Sequence, residues 1–234
     1  MDTLTSGARK ILEDARANFD HYLSATPKQS FPRIERQDTD GSYWYPENTV
    51  HADVEAFASA FTCSWRVLAI DENFRHYYNS KPAAFEELAH IVTPNNPDPR
   101  GLTSHARFWK FNTVVPIVDI DSAKELCRTL RNGFAHFNFR YINVSPREYF
   151  RQIDLPLPNF IPQPDVANHY RIFICDWNKG TRKKPNKFME PASDTRIVET
   201  HFAHFRYHLF MFLARLFSEP GHQYEDILTL KKIS

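Results

Sequence analysis

The sequence predicts a mostly α-helical fold, with a small β-prone excursion at about residues 168–190. Apolar residues recur at helical spacing in several long segments, and prolines punctuate the chain between them. The 16 prolines and only 6 glycines fit helices joined by irregular loops. A hydrophobic content of 42% supplies a real core. We therefore expect one domain over residues 1–234, with an irregular proline-rich and β insertion at about 143–190.

The first half of the chain predicts three helices. Residues 3–24 are amphipathic, and Thr5 or Ser6 can cap this helix. Residues 49–78 repeat the pattern over a longer segment, and residues 82–92 predict a shorter helix. The apolar positions that carry the first two patterns are Ile11, Leu12, Ala15, Phe19, Tyr22, Leu23, Val54, Phe57, Ala58, Phe61, Trp65 and Leu68.

Two further helices are predicted before the insertion. Residues 102–114 are aromatic and predicted to be helical, and Pro116 ends that segment because proline disrupts a helix. Asp119 or Asp121 can then cap a helix that runs to about His136. This helix contains the motif on which the functional prediction depends.

The insertion combines irregular chain with one strand. Residues 143–167 are rich in proline and predict loops. Residues 169–177, HYRIFICDW, are β-leaning, and with the basic loop that follows they predict a small hairpin within 168–190. Residues 195–218 predict the last long helix, which the turn-forming EPGH stops.

Composition argues against several classes of function. The formal net charge is +1, so bulk charge gives no argument for nucleic acid or membrane, and any anion site must be a local patch. There is no glycine-rich phosphate loop. Cys63, Cys127 and Cys175 are isolated, which argues against a disulfide framework or a cysteine zinc site and fits a cytoplasmic protein. A charged start and the lack of about 18 consecutive apolar residues predict no signal peptide and no membrane partner.

The segment 126–141, LCRTLRNGFAHFNFRY, places an arginine, an asparagine and a histidine beside an apolar helix stripe. On a helix, Asn132 and His136 lie four residues apart, opposite the stripe. Arg131 lies at the edge of the stripe, about 140° from His136. The two side chains converge only if Gly133 loosens the last turn, or if a second copy of the helix supplies the missing half. The stripe comprises Ala123, Leu126, Cys127, Leu130, Phe134 and Phe137.

These three polar residues suit phosphodiester chemistry. An arginine binds phosphate through two parallel hydrogen bonds, and a histidine takes or gives a proton near neutral pH. An asparagine is a fixed polar orienter. Together they fit the attack of a ribose 2′-hydroxyl on its own phosphate without a metal. The sequence therefore predicts Arg131, Asn132 and His136 as catalytic residues.

The hexapeptide RNGFAH, residues 131–136, resembles the R-x-x-x-x-H signature of the HEPN superfamily, in which a polar residue follows the arginine. The fuller pattern L-R-N-x-x-A-H after an apolar helix makes the resemblance more specific. It covers residues 119–140 well and the helical bundle in outline. The chain is most similar to HEPN proteins of plasmids and mobile elements, which take part in bacterial conflict. The resemblance implies an HEPN-like helical bundle.

The resemblance also implies an activity. Many HEPN proteins are metal-independent endoribonucleases that leave a 2′,3′-cyclic phosphate, need no cofactor, and act as homodimers with a composite active site. They serve in toxin–antitoxin or anti-phage defence systems, so RNA and a cognate antitoxin are the implied partners. One subtype has a tyrosine two residues after the histidine, but here that residue is Asn138, and Tyr141 is out of register. Control by nucleotide transfer to that tyrosine is therefore not expected.

Basic residues outside the motif are candidates for contacting an RNA backbone. Arg128 and Arg140 flank the motif, although Arg140 can equally pair with a carboxylate. The segment KGTRKKPNK is either a solvated loop or a nucleic-acid-binding patch. Its basic residues are Lys179, Arg182, Lys183, Lys184 and Lys187.

Three alternatives stay open at this stage. In the first, Arg131 and His136 have no catalytic role and are ordinary basic residues near the C-terminus of a helix, where the helix macrodipole favours basic side chains. An HEPN-like module could bind nucleic acid, nucleotide or a protein without cleaving RNA. His201, His204 and His208 have a spacing that can bind zinc, but no cysteine or carboxylate accompanies them. A packed aromatic helix with partly exposed histidines, and no metal, is the favoured interpretation there.

Overall fold

A computed structural model describes residues 4–26, 36–37, 43–44, 54–92, 106–110, 113–136, 138–142, 171–176, 196–220 and 224 of the chain. The described residues are mostly helical, as the sequence predicts. The helices are α1 Ser6–Ala25, α2 Val54–Leu68, α3 Asp71–Ser80, α4 Pro82–His90, α5 Ile120–Ala135 and α6 Phe202–Phe217. The strands are β1 Arg36–Gln37, β2 Tyr43–Trp44, β3 Arg107–Lys110, β4 Thr113–Val114, β5 Phe139–Ile142, β6 Arg171–Asp176 and β7 Arg196–His201.

Two helices begin at the caps that the sequence predicts. The Thr5 hydroxyl accepts a hydrogen bond from the Ala8 N–H at the start of α1. At the start of α5, Asp119 Oδ1 accepts from the Ser122 N–H at 2.8 Å, and Ser122 Oγ accepts from the Asp119 N–H at 3.1 Å. This reciprocal capping box satisfies two N–H groups that a helix leaves without a partner. The start of the helix that contains RNGFAH is therefore fixed by local chemistry.

The sheet draws its strands from distant parts of the chain. Its order is β4-β3-β7-β6-β5, and every neighbouring pair is antiparallel. The predicted strand at 169–177 is confirmed as β6. The predicted hairpin within 168–190 is longer than expected, because the strand that returns antiparallel to β6 is β7, which begins at residue 196. The other edge of β6 pairs with β5.

Three helix predictions also need correction. Residues 107–110 and 113–114 form β3 and β4 rather than a helix, because β3 pairs with β7 and buries Phe108 and Trp109. The last helix begins at Phe202 and not at 195, because the β-branched run in Arg196–His201 extends the sheet. The long pattern at 49–78 breaks into α2 and α3, where Ile70 is the extended N-cap. The helix predicted at 82–92 is confirmed as α4.

The core is built around α6, which is buried along most of its described length. A helix that is apolar on nearly all sides must lie inside the protein. Phe19 of α1 contacts Phe210, Phe217 and Tyr224 with ring centroids 5.3 to 5.8 Å apart. Aromatic packing thus joins α1 to the central helix. Among the described residues, no helix is both long and apolar enough to cross a bilayer.

Helix α5 lies against the sheet at unusually close range. Gly133 is buried, and a Cβ built on it would lie 2.1 Å from Ile174 Cγ2 in β6. Any side chain at this position would therefore overlap the sheet. The Gly133 carbonyl accepts from the Asn138 N–H at 2.8 Å, and the Asn138 carbonyl accepts from the Cys175 N–H at 2.9 Å. Helix end and strand are thus joined through backbone hydrogen bonds as well as packing.

Substituting Gly133→Ala should lower the free energy of unfolding by about 1–3 kcal/mol, the usual cost of overpacking a core. Ile174 is fully buried and β-branched, so its methyl group cannot rotate away cheaply. Urea denaturation measures the change. The matched control is Gly7→Ala in α1, where an added Cβ has no atom within 4 Å. That variant should be unchanged or more stable by about 0.5 kcal/mol. Equal stabilities of Gly133→Ala and wild type would contradict the packing argument.

Candidate functional site

The polar residues of RNGFAH form a hydrogen-bonded chain that ends on the sheet. Arg131 Nη1 donates to Asn132 Oδ1 at 2.8 Å, and Asn132 Nδ2 donates to Asp176 Oδ2 at 2.9 Å. Asp176 is the last residue of β6 and lies opposite Arg196 in the β6–β7 ladder. Because both ends of the Asn132 amide are engaged, its orientation is set by its partners. Asn132 therefore couples the arginine to the sheet.

The guanidinium of Arg131 retains unused donors. Only its Nη1 has an acceptor among the described residues, and its buried Nε has none. The edge formed by Nε and Nη2 is the one that binds a carboxylate or phosphate side-on through two parallel hydrogen bonds. A buried donor without an acceptor is costly, and an anionic oxygen that reached it would remove this cost. The half-buried Arg131 thus has the donors that a phosphate requires.

His136 lies at the end of α5 with its side chain exposed. It is the C-cap, and its backbone N–H donates to the Asn132 carbonyl at 3.1 Å. Its imidazole makes no hydrogen bond or ion pair with any residue that the structure describes. Neither ring nitrogen has a partner in the described part of the chain. Within one chain, however, no hydrogen bond links His136 to Arg131.

Arg128, Asn132 and His136 form a row along one face of α5. They are spaced by four residues, so consecutive members lie about 6 Å apart along the helix axis. Arg128 and His136 are exposed, whereas Asn132 is half-buried because it faces Asp176. The opposite face is the apolar stripe that the sequence predicts. Its buried members are Ala123, Leu126, Cys127, Leu130 and Phe134, while Phe137 lies outside the described residues.

Glu125 ties the same helix to two strands. Arg196 Nη2 lies 2.6 Å and Lys110 Nζ 3.1 Å from Glu125 Oε1. Burial on its own raises the pKa of Glu125, but the hydrogen bonds from Arg196 and Lys110 outweigh it, so the pKa lies below its ordinary value. This ionic contact fixes α5 on the sheet one turn before Arg128.

Several predicted binding residues cannot be placed. Arg140 belongs to β5, but its side chain is outside the described residues. The same is true of the whole basic segment, Lys179, Arg182, Lys183, Lys184 and Lys187. Their contact with RNA stays a prediction, as do the catalytic roles of Arg131, Asn132 and His136.

Asp176 is a site residue that the sequence did not single out. It lies 44 residues from Asn132, and only the sheet brings the two together. The available signal was weak: an acidic residue that ends the apolar run in HYRIFICDW. Such a residue is equally ordinary at the end of any strand.

The histidines of the last helix occupy a second polar cluster. His204 and His208 are buried, not partly exposed as the sequence predicted, and the His201 side chain is outside the described residues. A carboxylate that is far away in the sequence lies beside these histidines. Glu87 Oε2 in α4 accepts a hydrogen bond from His208 Nδ1 at 2.6 Å. Burial raises the pKa of Glu87, but hydrogen bonds from His208 and His90 and the charge of Arg215 lower it to about 2. Burial also lowers the pKa of His208.

No family model, curated protein or solved structure matches this chain.

Replacing Glu125 by glutamine should lower the free energy of unfolding at pH 7 by about 1 kcal/mol, since the pair is partly screened by solvent. The pKa of Glu125 is lower in the folded state than in the unfolded state. The stabilisation by this ion pair is therefore complete above about pH 4.5 and is lost as the pH falls through the folded-state pKa. Denaturation curves from pH 7 to pH 3 measure the difference between variant and wild type, which should shrink on acidification. Glu13→Gln, at an exposed position of α1, is the control and should show little difference at either pH. A Glu125→Gln deficit that stays constant down to pH 3 would contradict the ionic explanation.

Proposed function

We propose that this protein is a metal-independent endoribonuclease of the HEPN type, acting in a toxin or defence system. The observation that supports the proposal best is the exposed imidazole of His136, which has no hydrogen-bond partner among the described residues and lies at the end of the same helix face as Arg128 and Asn132. An exposed cationic side chain, a fixed amide and an exposed imidazole in one row suit an RNA backbone. The three cysteines are free thiols, which is typical of a cytoplasmic protein.

In the proposed reaction the ribose 2′-oxygen forms a bond to the adjacent phosphorus, and the bond from phosphorus to the 5′-oxygen breaks. His136 accepts the proton of the 2′-hydroxyl, and a general acid returns a proton to the leaving 5′-oxygen. Arg131 binds the phosphate through its guanidinium and stabilises the charge that develops there. Asn132 keeps the guanidinium in place by holding Nη1 and by its own bond to Asp176.

A homodimer would supply the general acid that the reaction needs. No hydrogen bond joins Arg131 to His136 within the chain, and two copies of α5 placed face to face would bring a second imidazole to the same phosphate. One histidine then acts as base and the other as acid. Sedimentation should give a mass near twice the 27.5 kDa of the chain. A monomer that cleaves RNA at full rate would contradict the composite site.

The decisive test is cleavage of single-stranded RNA in the presence of EDTA. His136→Ala should reduce kcat/KM by about 100-fold or more, because proton transfer by a positioned side chain contributes about 10²–10⁴. The wild-type product should end in a 2′,3′-cyclic phosphate. His76→Ala, at an exposed histidine of α3, is the matched control and should cleave like the wild type. Circular dichroism in EDTA verifies that each variant is folded.

A non-catalytic module that binds nucleic acid, nucleotide or a protein is the second candidate. The carboxylate of Asp176 favours it, because a negative charge lies one side chain away from the guanidinium that would bind phosphate. RNA that stays intact with the wild type but binds it, and binds Arg131→Ala less well, would support this candidate and exclude the nuclease.

A further inference from the structure

A buried group of metal-ligand side chains lies between α4 and α6, on residues that the proposed nuclease does not use. Glu87 and His90 lie three residues apart on α4, one turn of the helix, and His208 faces them from α6. One ligand atom from each of the three lies within 4.8 Å of the others. We propose that Glu87, His90 and His208 bind one divalent metal ion of the zinc type.

The distances are close to those of a metal site. Zinc bonds of about 2.0–2.1 Å in tetrahedral geometry place neighbouring ligand atoms about 3.3 Å apart. His90 Nδ1 lies 3.7 Å from Glu87 Oε2, and His208 Nδ1 lies 2.6 Å from the same oxygen. The shorter distance is a hydrogen bond, so the ion would replace the shared proton and open this pair by about 0.7 Å. No movement of a helix is needed for a shift of that size.

The surrounding contacts orient the three side chains. Arg215 Nη1 lies 2.9 Å from Glu87 Oε1, so it occupies one carboxylate oxygen and leaves Oε2 facing the imidazoles. His204 Nε2 donates to the His90 carbonyl at 2.6 Å and fixes the end of α4 where His90 lies. Such outer contacts set the geometry of metal ligands in known sites.

Charge and access are compatible with a bound cation. Arg215 adds a positive charge nearby, yet zinc binds stably to three neutral histidines, and here a carboxylate is among the ligands. The His208 side chain is only 3% exposed, whereas that of His90 is 18% exposed. His90 therefore lies at the rim of the site and offers the route by which an ion or a water reaches it. Three protein ligands with an open fourth position are typical of reactive zinc sites.

The competing interpretation is a structural cluster that only satisfies a buried carboxylate, with no affinity for metal. Direct titration of the purified, EDTA-dialysed chain with zinc chloride separates the two. The wild type should bind about one zinc ion per chain in the micromolar range, and zinc should raise its melting temperature. His90→Gln should bind zinc at least about tenfold more weakly. Because His90 is at the rim, this variant retains the buried Glu87–His208 pair.

His76→Gln is the matched control, since it removes an exposed histidine of α3 outside the cluster, and it should bind zinc like the wild type. His136→Ala should also bind zinc normally, which keeps this test independent of the nuclease test. A wild-type spectrum with bound Co²⁺ adds a measurement that needs no variant, because tetrahedral coordination gives strong visible absorption. A wild type without micromolar zinc affinity, or equal weakening by His76→Gln and His90→Gln, would overturn the proposed site.

Discussion

The close contact between α5 and β6 at Gly133 is the constraint on which the candidate site depends. Ile174 Cγ2 occupies the space that a side chain at residue 133 would need. Only glycine permits this approach, because it alone lacks a Cβ. The contact also positions Asn132, which precedes Gly133 in α5. It brings the Asn132 amide within hydrogen-bonding reach of Asp176, which follows Ile174 by two residues in β6. Close packing and polar site geometry thus have one cause. The glycine of RNGFAH is accordingly a packing residue of the motif, while its neighbours carry the polar groups.

Both polar clusters lie where an amphipathic or apolar helix meets another element. On α5, Glu125 and Asn132 reach the sheet and fix the helix on it, which leaves Arg128 and His136 directed to solvent. On α6, by contrast, the polar side chains point into the core, where an unpaired group is costly and must find a partner. Glu87 supplies that partner for His208. The exposed side chains of α5 are accessible to a large substrate such as RNA, whereas the buried side chains between α4 and α6 suit a small ligand such as a metal ion.

The local patterns of the sequence predicted a large part of the fold. Helices α1, α4 and α5 were predicted nearly to their ends, because caps such as Thr5 and Asp119 act within four residues. The strand at 169–177 was also predicted. Residues 107–110 and 196–201 were mistaken for helix because their strand state depends on the pairing of β3 with β7 across some 90 residues. Propensity within a short window cannot contain that information, and tertiary contacts override it.

The sequence alone determined which residues of α5 are apolar and which are polar, because helical spacing fixes the face on which each side chain lies. It thereby placed Asn132 and His136 away from the buried stripe, and the structure leaves His136 exposed. The tertiary structure alone decided their partners. Asp176 joins Asn132, and Glu87 joins His208 across 121 residues of chain. The reason is physical: hydrogen bonds and ion pairs act over a few ångströms in space, and only the packed fold sets which distant residues come that near.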